Sequence, residues 1–270
     1  MADRDRSNHE RFAVLRRARR VWAVAAIHGE SGRLAALHRV LADAFEEGDR
    51  LVYLGNYLGG ADVLGTIDEL LAFRRALIAR PRTFASDLAY LRGSQEEMWQ
   101  KLLQLQFAPN PREVFDWMMS HGLGATLRAY GGDEKTGAAV AREGAVGITR
   151  WTQSLRAVMQ ARPGHYNLMS ALRRAALTDD GALLFVHAGI DPSRPLSAQS
   201  DSFWWNLGGF SRLAQPYAGF RRVIRGYDRS HGGLIESAYT TSIDSGSGFG
   251  GPLLAACFAP EGTLLATIES

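Results

Sequence analysis

The hydrophobic pattern opens with Val21-Trp-Ala-Val-Ala-Ala-Ile27, a continuous apolar run of strand length closed by His28-Gly29. Leu34, Leu37, Leu41 and Phe45 then recur at intervals of three and four, which predicts an amphipathic helix over 31–47. Leu51-Val-Tyr-Leu54 and Leu88-Ala-Tyr-Leu91 are further buried-type strands, ended by Gly55-Asn56 and Gly93. Thr66-Ile-Asp-Glu69 and Ser94-Gln-Glu-Glu97 have the spacing of capping boxes and predict helix starts. Strand, helix, strand, helix, strand in this order indicates a parallel α/β layer.

From 94 to about 178 the pattern is helical, broken near Pro109–Pro111, Gly131-Gly132 and Pro163-Gly164. Beyond 181 strands return: 182–187, 223–224, 238–243, 253–258 and 264–268, the last three without full helices between them. An antiparallel sheet is expected there. The fold class is α/β: a two-sheet sandwich flanked by helices, with a helical insert over 94–178. Residues 1–20 are separate in character and are expected to form an Arg-rich, partly helical arm ahead of one domain over 21–270.

Composition changes this picture little. Hydrophobic residues make up 46 % and charged residues 22 %, so the chain is globular rather than disordered. A single cysteine, Cys257, excludes an internal disulfide framework and a cysteine-based zinc site. No apolar run spans a bilayer, and a cytoplasmic location is expected. The net charge of +3 invites a nucleic-acid reading until it is located. Residues 1–20 hold seven arginines against three acids, a net +4, and the rest of the chain sums to −1. Two lysines against 29 arginines have the look of a GC-rich genome's codon usage, so arginine number alone says little.

Chemistry in open α/β sheets collects at the carboxyl ends of strands. Here those ends read Ala25-Ala-Ile-His-Gly29, Gly55-Asn-Tyr-Leu-Gly-Gly60, Gly93-Ser-Gln-Glu96, His187-Ala-Gly-Ile190 and Gly226-Tyr-Asp228. In order and spacing the series resembles the calcineurin-like metallophosphoesterases. It is closest to the bacterial serine/threonine phosphatases of the phosphoprotein phosphatase family. Their strand ends read Gly-Asp-x-His-Gly, Gly-Asp-x-x-Asp-Arg-Gly, Gly-Asn-His-Glu, His-Ala-Gly and Gly-His-Thr. Residues 121–131, Trp205–Phe210 and Ile243–Leu253 resemble further stretches of that branch, so the likeness runs from Trp22 to Ile268.

The departures fall on the chemistry. The family places two metal ions at these ends to activate water and clamp phosphate. The resemblance puts ligand positions at Ala26, His28, Asn56, Ser94, His187 and Tyr227, of which only His28 and His187 keep the family's residue. The general-acid position holds Gln95, and the phosphate-binding arginine positions hold Gly60 and Leu207. Gln cannot shuttle a proton near neutral pH, and neither Gly nor Leu grips phosphate as a guanidinium does. The expectation is a pseudophosphatase: no catalytic residue, no resident metal or other cofactor, and a vacated cleft lined by Ala26, His28, Asn56, Ser94, Gln95, His187 and Tyr227. That cleft would take a protein partner or a phosphorylated ligand.

Two other readings remain. A working metal-dependent phosphoesterase, using manganese or another divalent metal, would need His28 and His187 joined by a carboxylate such as Glu30, Glu96 or Asp228. A nucleic-acid or acidic-partner function would act through residues 1–20. Gly246-Ser-Gly-Phe-Gly-Gly251 matches a dinucleotide loop in letters only, because Pro252 and a strand-like run follow instead of a helix. Trp204-Trp205 reads as core.

Overall fold

In the computed structural model, which describes residues 11–270, the apolar runs pair into two sheets. The first contains β2 (Arg20–Val24), β3 (Asp49–Tyr53), β4 (Leu88–Tyr90), β10 (Leu254–Phe258) and β11 (Leu264–Glu269). Its order is β11-β10-β2-β3-β4, with β2, β3 and β4 parallel and β10 antiparallel to β2. The second contains β1 (Phe12–Leu15), β5 (Ala175–Thr178), β6 (Leu183–Val186), β7 (Arg222–Arg225), β8 (Gly233–Glu236) and β9 (Thr240–Asp244). Its order is β1-β5-β6-β7-β9-β8.

Helices α1 (Ser31–Ala44) and α2 (Val63–Ile78) follow β2 and β3. The insert between β4 and β5 holds α3 (Ser94–Leu102), α4 (Pro111–Ser120), α5 (Gly124–Ala129), α6 (Glu134–Glu143), α7 (Ala145–Gln160) and α8 (His165–Ala171). Two short helices, α9 (Ser202–Trp205) and α10 (Leu207–Ser211), lie between β6 and β7.

The main core lies between the sheets. Phe185 of β6 meets Phe258 of β10 edge to face at 6.3 Å, and Ile224 and Ile243 are fully buried in the same cluster. A second cluster joins Phe12, Leu184, Val186, Phe203, Trp204 and Phe210. On the first sheet α1 carries its apolar stripe Leu34, Leu37 and Leu41 inward. His38 on that stripe is buried because both ring nitrogens find partners: Tyr53 Oη at 2.8 Å and Glu69 at 2.6 Å, with Phe73 stacked on the ring at 3.8 Å.

Several sequence expectations need correction. Residues 1–10 of the expected arm lie outside the described residues, and the rest is no arm: Phe12–Leu15 is a strand paired in parallel with β5. Its four apolar residues sit between arginines, which hid them. The second helix starts at Val63, where the Asp62 side chain accepts the Gly65 N–H at 2.9 Å, so the box at Thr66 is inside the helix. The expected antiparallel sheet beyond 181 is divided. β10 and β11 pair antiparallel in the first sheet, while β6, β7 and β9 run parallel in the second. β8 escaped notice because its apolar signal is only two residues long, Leu234-Ile235, between glycines and Glu236.

Asp49 anchors the start of β3. It is 2 % exposed and accepts from Arg20 at 2.9 and 2.6 Å, from Trp22 Nε1 at 3.2 Å and from the Glu46 N–H at 2.9 Å. Arg20 is partly exposed, which screens some of its loss. Replacing Asp49→Asn is expected to cost about 2–3 kcal/mol in urea unfolding, through an uncompensated guanidinium and a mispaired amide. A midpoint equal to that of the parent chain would refute the anchor.

Candidate functional site

The carboxyl ends of β2, β3, β4, β6 and β7 converge where the two sheets meet. Backbone bonds fasten them: Ala26 N–H to Gly226 O at 2.9 Å, His28 N–H to Asn56 O at 2.6 Å, and Tyr227 N–H to His187 O at 2.8 Å. His28 and Asn56 both sit at positive φ (54° and 53°), a conformation that non-glycine residues hold only when the surroundings enforce it.

Asn56 is the hub. It is 1 % exposed, and its Oδ1 accepts from the Gln95 N–H at 3.0 Å and the Ser94 hydroxyl at 3.2 Å. Its Nδ2 must therefore be the donor facing His28 Nε2 at 3.3 Å, which assigns the lone pair to Nε2 and the proton to Nδ1. Below it, Glu96 accepts from three backbone amides: Asn56 at 2.8 Å, Gly93 at 2.7 Å and Leu58 at 2.9 Å. Burial pushes the Glu96 carboxyl up despite those three donors. The helix cap accordingly differs from the expectation: Gly93 is the cap and Glu96 its box partner, while Ser94 is already helical and Glu97 pairs with Arg92 at 3.1 Å. Gly93 is required, since a Cβ there would lie 2.3 Å from the Asn56 nitrogen.

The histidines are neutral. Burial brings His187 down to about 4, and its Nδ1–H donates to Leu54 O at 2.7 Å while Nε2 is buried without a partner. Burial, then the neighbouring His187 and His231, brings His28 down to about 3. Tyr227 stacks on the His187 ring, with centroids 5.5 Å apart, and its phenol is pushed up by burial.

His28, Asn56, Ser94, Gln95 and Tyr227 line one cleft of about 590 Å³, whereas Ala26 and His187 are fully buried and do not line it. Leu207 and Gly60 are also in its wall. No side chain fits at Gly60: a Cβ would stand 1.8 Å from the His28 carbonyl oxygen, so backbone closes the position where the resemblance expects an arginine. Sequence reasoning missed much of the rest. Trp117 and His121, one turn apart on and just beyond α4, line the cleft with Met98, Arg229 and Phe249. Trp205 packs edge-on to Trp117 at 5.5 Å and is 39 % exposed, so only Trp204 of that pair is core. The i, i+4 spacing of Trp117 and His121 was the available signal, but nothing in it says which helix face meets the cleft.

A dinuclear divalent centre needs anionic oxygen donors around both ions. The side chains present are two neutral imidazoles, an amide, a hydroxyl and a phenol, and they do not fit it. The three carboxylates considered as replacements are engaged elsewhere: Glu96 with the amides, Asp228 with Arg225 at 2.6 Å, and Glu30 toward Arg33 at 3.9 Å. Among the described residues no cluster of three or more His, Cys, Asp or Glu is arranged to hold a metal ion. The Gly246–Gly251 stretch is the connection from β9 to β10, and Ser247 Oγ donates to Ile27 O at 2.9 Å.

With this geometry in hand, known structures place the fold. The chain is similar to a protein assigned as a diadenosine tetraphosphatase: TM-score 0.55, 20 % identity, 97 % of this chain and 98 % of that one covered. It is also similar to a protein serine/threonine phosphatase from Saccharomyces cerevisiae with similarity to human phosphatase PP5 (TM-score 0.51, 14 % identity, 100 % and 87 % covered). A mutant cold-active protein tyrosine phosphatase matches with TM-score 0.51 and 14 % identity, covering 96 % and 84 %. No protein-family model and no curated protein matches the chain in sequence. The fold is thus metallophosphoesterase-like: two sheets flanked by helices, as in these phosphatases. No helix among the described residues is long and apolar enough to cross a membrane.

Two measurements probe the hub. Glu96→Gln turns one oxygen into a donor facing an amide donor, and is expected to cost about 1–3 kcal/mol in urea unfolding. For His187 the unfolded chain protonates first, near 6.5, and the folded chain only near 4. Its contribution is therefore complete above pH 6.5 and lost as pH falls toward 4. His187→Asn keeps a donor for Leu54 and cannot titrate. Its stability should fall less steeply over that window, by about 1.4 kcal/mol per pH unit. An unchanged slope would mean that the His187 ring titrates normally.

Proposed function

We propose that the protein is a pseudophosphatase, a phosphatase-fold chain that binds a protein partner through its cleft and carries out no phosphoester hydrolysis. One observation carries the reading. At the strand ends where metal chemistry needs anionic donors, the side chains are neutral and already bonded to one another, with Asn56 holding Ser94, Gln95 and His28. The cleft above them is about 590 Å³. Its walls are aromatic, from Trp117, Trp205, Tyr227 and Phe249, and Arg229 is the one charged side chain among the described lining residues. Such a surface suits an aromatic or aliphatic anchor of a protein partner better than a doubly charged phosphate.

The test is metal content and activity. Protein purified without chelator, then supplied with manganese, is expected to bind no stoichiometric metal, to melt at an unchanged temperature and to leave p-nitrophenyl phosphate intact. Two tightly held equivalents, or turnover lost on chelation, would overturn the reading. A chain carrying Ala26→Asp, Asn56→Asp, Ser94→Asn, Gln95→His and Tyr227→His is expected to gain manganese binding. Gly60 would still deny it a full phosphate grip.

A further inference from the structure

A second cavity lies away from the cleft, where the edge strands of the two sheets approach each other. β1 is the edge of one sheet and β4 the edge of the other. The groove between them is closed by α2, the turn at Ala85–Asp87 and α8, and encloses about 690 Å³. Its floor is apolar: Phe12, Leu71, Leu88, Ala89 and Leu168. Its polar lining has one sign. Arg16, Arg74, Arg75 and Arg173 all contribute, and no acidic residue among the described ones does. The ion pairs formed among the described residues involve none of Arg16, Arg74 and Arg75.

One further polar residue lies at this groove. Tyr90 lines the groove, is 6 % exposed, and its hydroxyl is buried with no hydrogen-bond partner. The ring stacks on Tyr53, and therefore shares the face of β3 and β4 that looks toward α1 and α2. The charge of Arg74 on α2 acts on this phenol. A buried hydroxyl left unpaired costs free energy unless a ligand or water meets it. Arginines lining one groove without an acidic neighbour in it offer charge-assisted hydrogen bonds to an anion, which would also meet the hydroxyl.

We propose that this groove binds an amphipathic organic anion: an acidic head bonded by Arg74, Arg75 and the Tyr90 hydroxyl, with an apolar body against Phe12, Leu71 and Leu168. The chain's own first residues fit it poorly. Residues 1–10 carry Arg4 and Arg6 beside their three acids, and only Met1 and Ala2 are apolar. They interleave both signs of charge and offer no apolar body.

The experiment is calorimetric titration of the full chain with decanoate below its micelle concentration, beside decyltrimethylammonium, which has the same tail and opposite charge. Decanoate is expected to bind at one site and the cation not at all. Arg74→Gln with Arg75→Gln should weaken decanoate about tenfold or more, and Tyr90→Phe about threefold. Trp205→Ala, in the other cleft, should leave decanoate binding unchanged. Equal binding of the two amphiphiles, or arginine variants that bind as the parent does, would overturn the proposal. So would inorganic phosphate competing as well as decanoate, since the apolar floor would then contribute nothing. If a chain lacking residues 2–9 binds decanoate and the full chain does not, the groove belongs to the chain's own N-terminus and the proposal falls. None of these outcomes depends on whether the cleft hydrolyses phosphate.

Discussion

Glu96 is the side chain on which the strand-end hub depends. Its two oxygens take the amides of Asn56, Leu58 and Gly93, so one buried carboxyl fixes the loop after β3 and the first turn of α3 together. With that loop held, Asn56 is kept at positive φ and its side chain can reach Ser94, Gln95 and His28 at once. His28 in turn closes on Gly60 through its carbonyl. Around Asn56 each group supplies what the next lacks, while Gln95 Oε1 and His187 Nε2 stay buried without a partner.

This network bears on the balance of charge. A pair of divalent ions compensates clustered carboxylates; without the ions those carboxylates would repel. Here the strand ends hold neutral groups in their place, and two histidines whose burial keeps them uncharged. The buried ends of five strands are thereby joined by directional bonds between dipoles. Such bonds tolerate little displacement, which is consistent with two adjacent non-glycine residues of the hub held in a left-handed conformation.

Much of the fold was legible because parallel strands buried on both faces leave continuous apolar runs, as Val21–Ile27 and Leu51–Leu54 do. The elements that escaped are those lacking that signal. β1 is flanked by arginines, β5 begins with two alanines, and β8 is an exposed edge. The site was legible to a similar depth. The collinear strand-end motifs located His28, Asn56, Gln95 and Tyr227 around one cleft, but side-chain direction was not readable, and Ala26 and His187 fall behind the wall. The capping box was read one residue late, because a serine at Ser94 looks like a better cap than Gly93. Steric demand decides otherwise, since only glycine clears Asn56. Trp117, His121 and Phe249 come from the insert and a glycine-rich loop, and their arrival at the cleft is a tertiary event with no local signature.

Charge gives a related lesson about scale. The net value of +3 resolves into a basic start and a body close to neutral, and a body close to neutral can still concentrate one sign locally. Arg74 and Arg75 reach the groove between β1 and β4 from α2, and Arg16 and Arg173 reach it from the chain next to β1 and β5. Their number follows from the chain's preference for arginine over lysine; the absence of acidic residues from the described lining does not. A surface arginine is ordinarily screened by solvent or paired within a few ångströms, as Arg82 is with Glu47 at 2.9 Å. At the groove, four arginines share one lining with an apolar floor and a tyrosine whose hydroxyl is buried without a partner, and that combination, rather than the arginine count, distinguishes the groove from the rest of the basic surface.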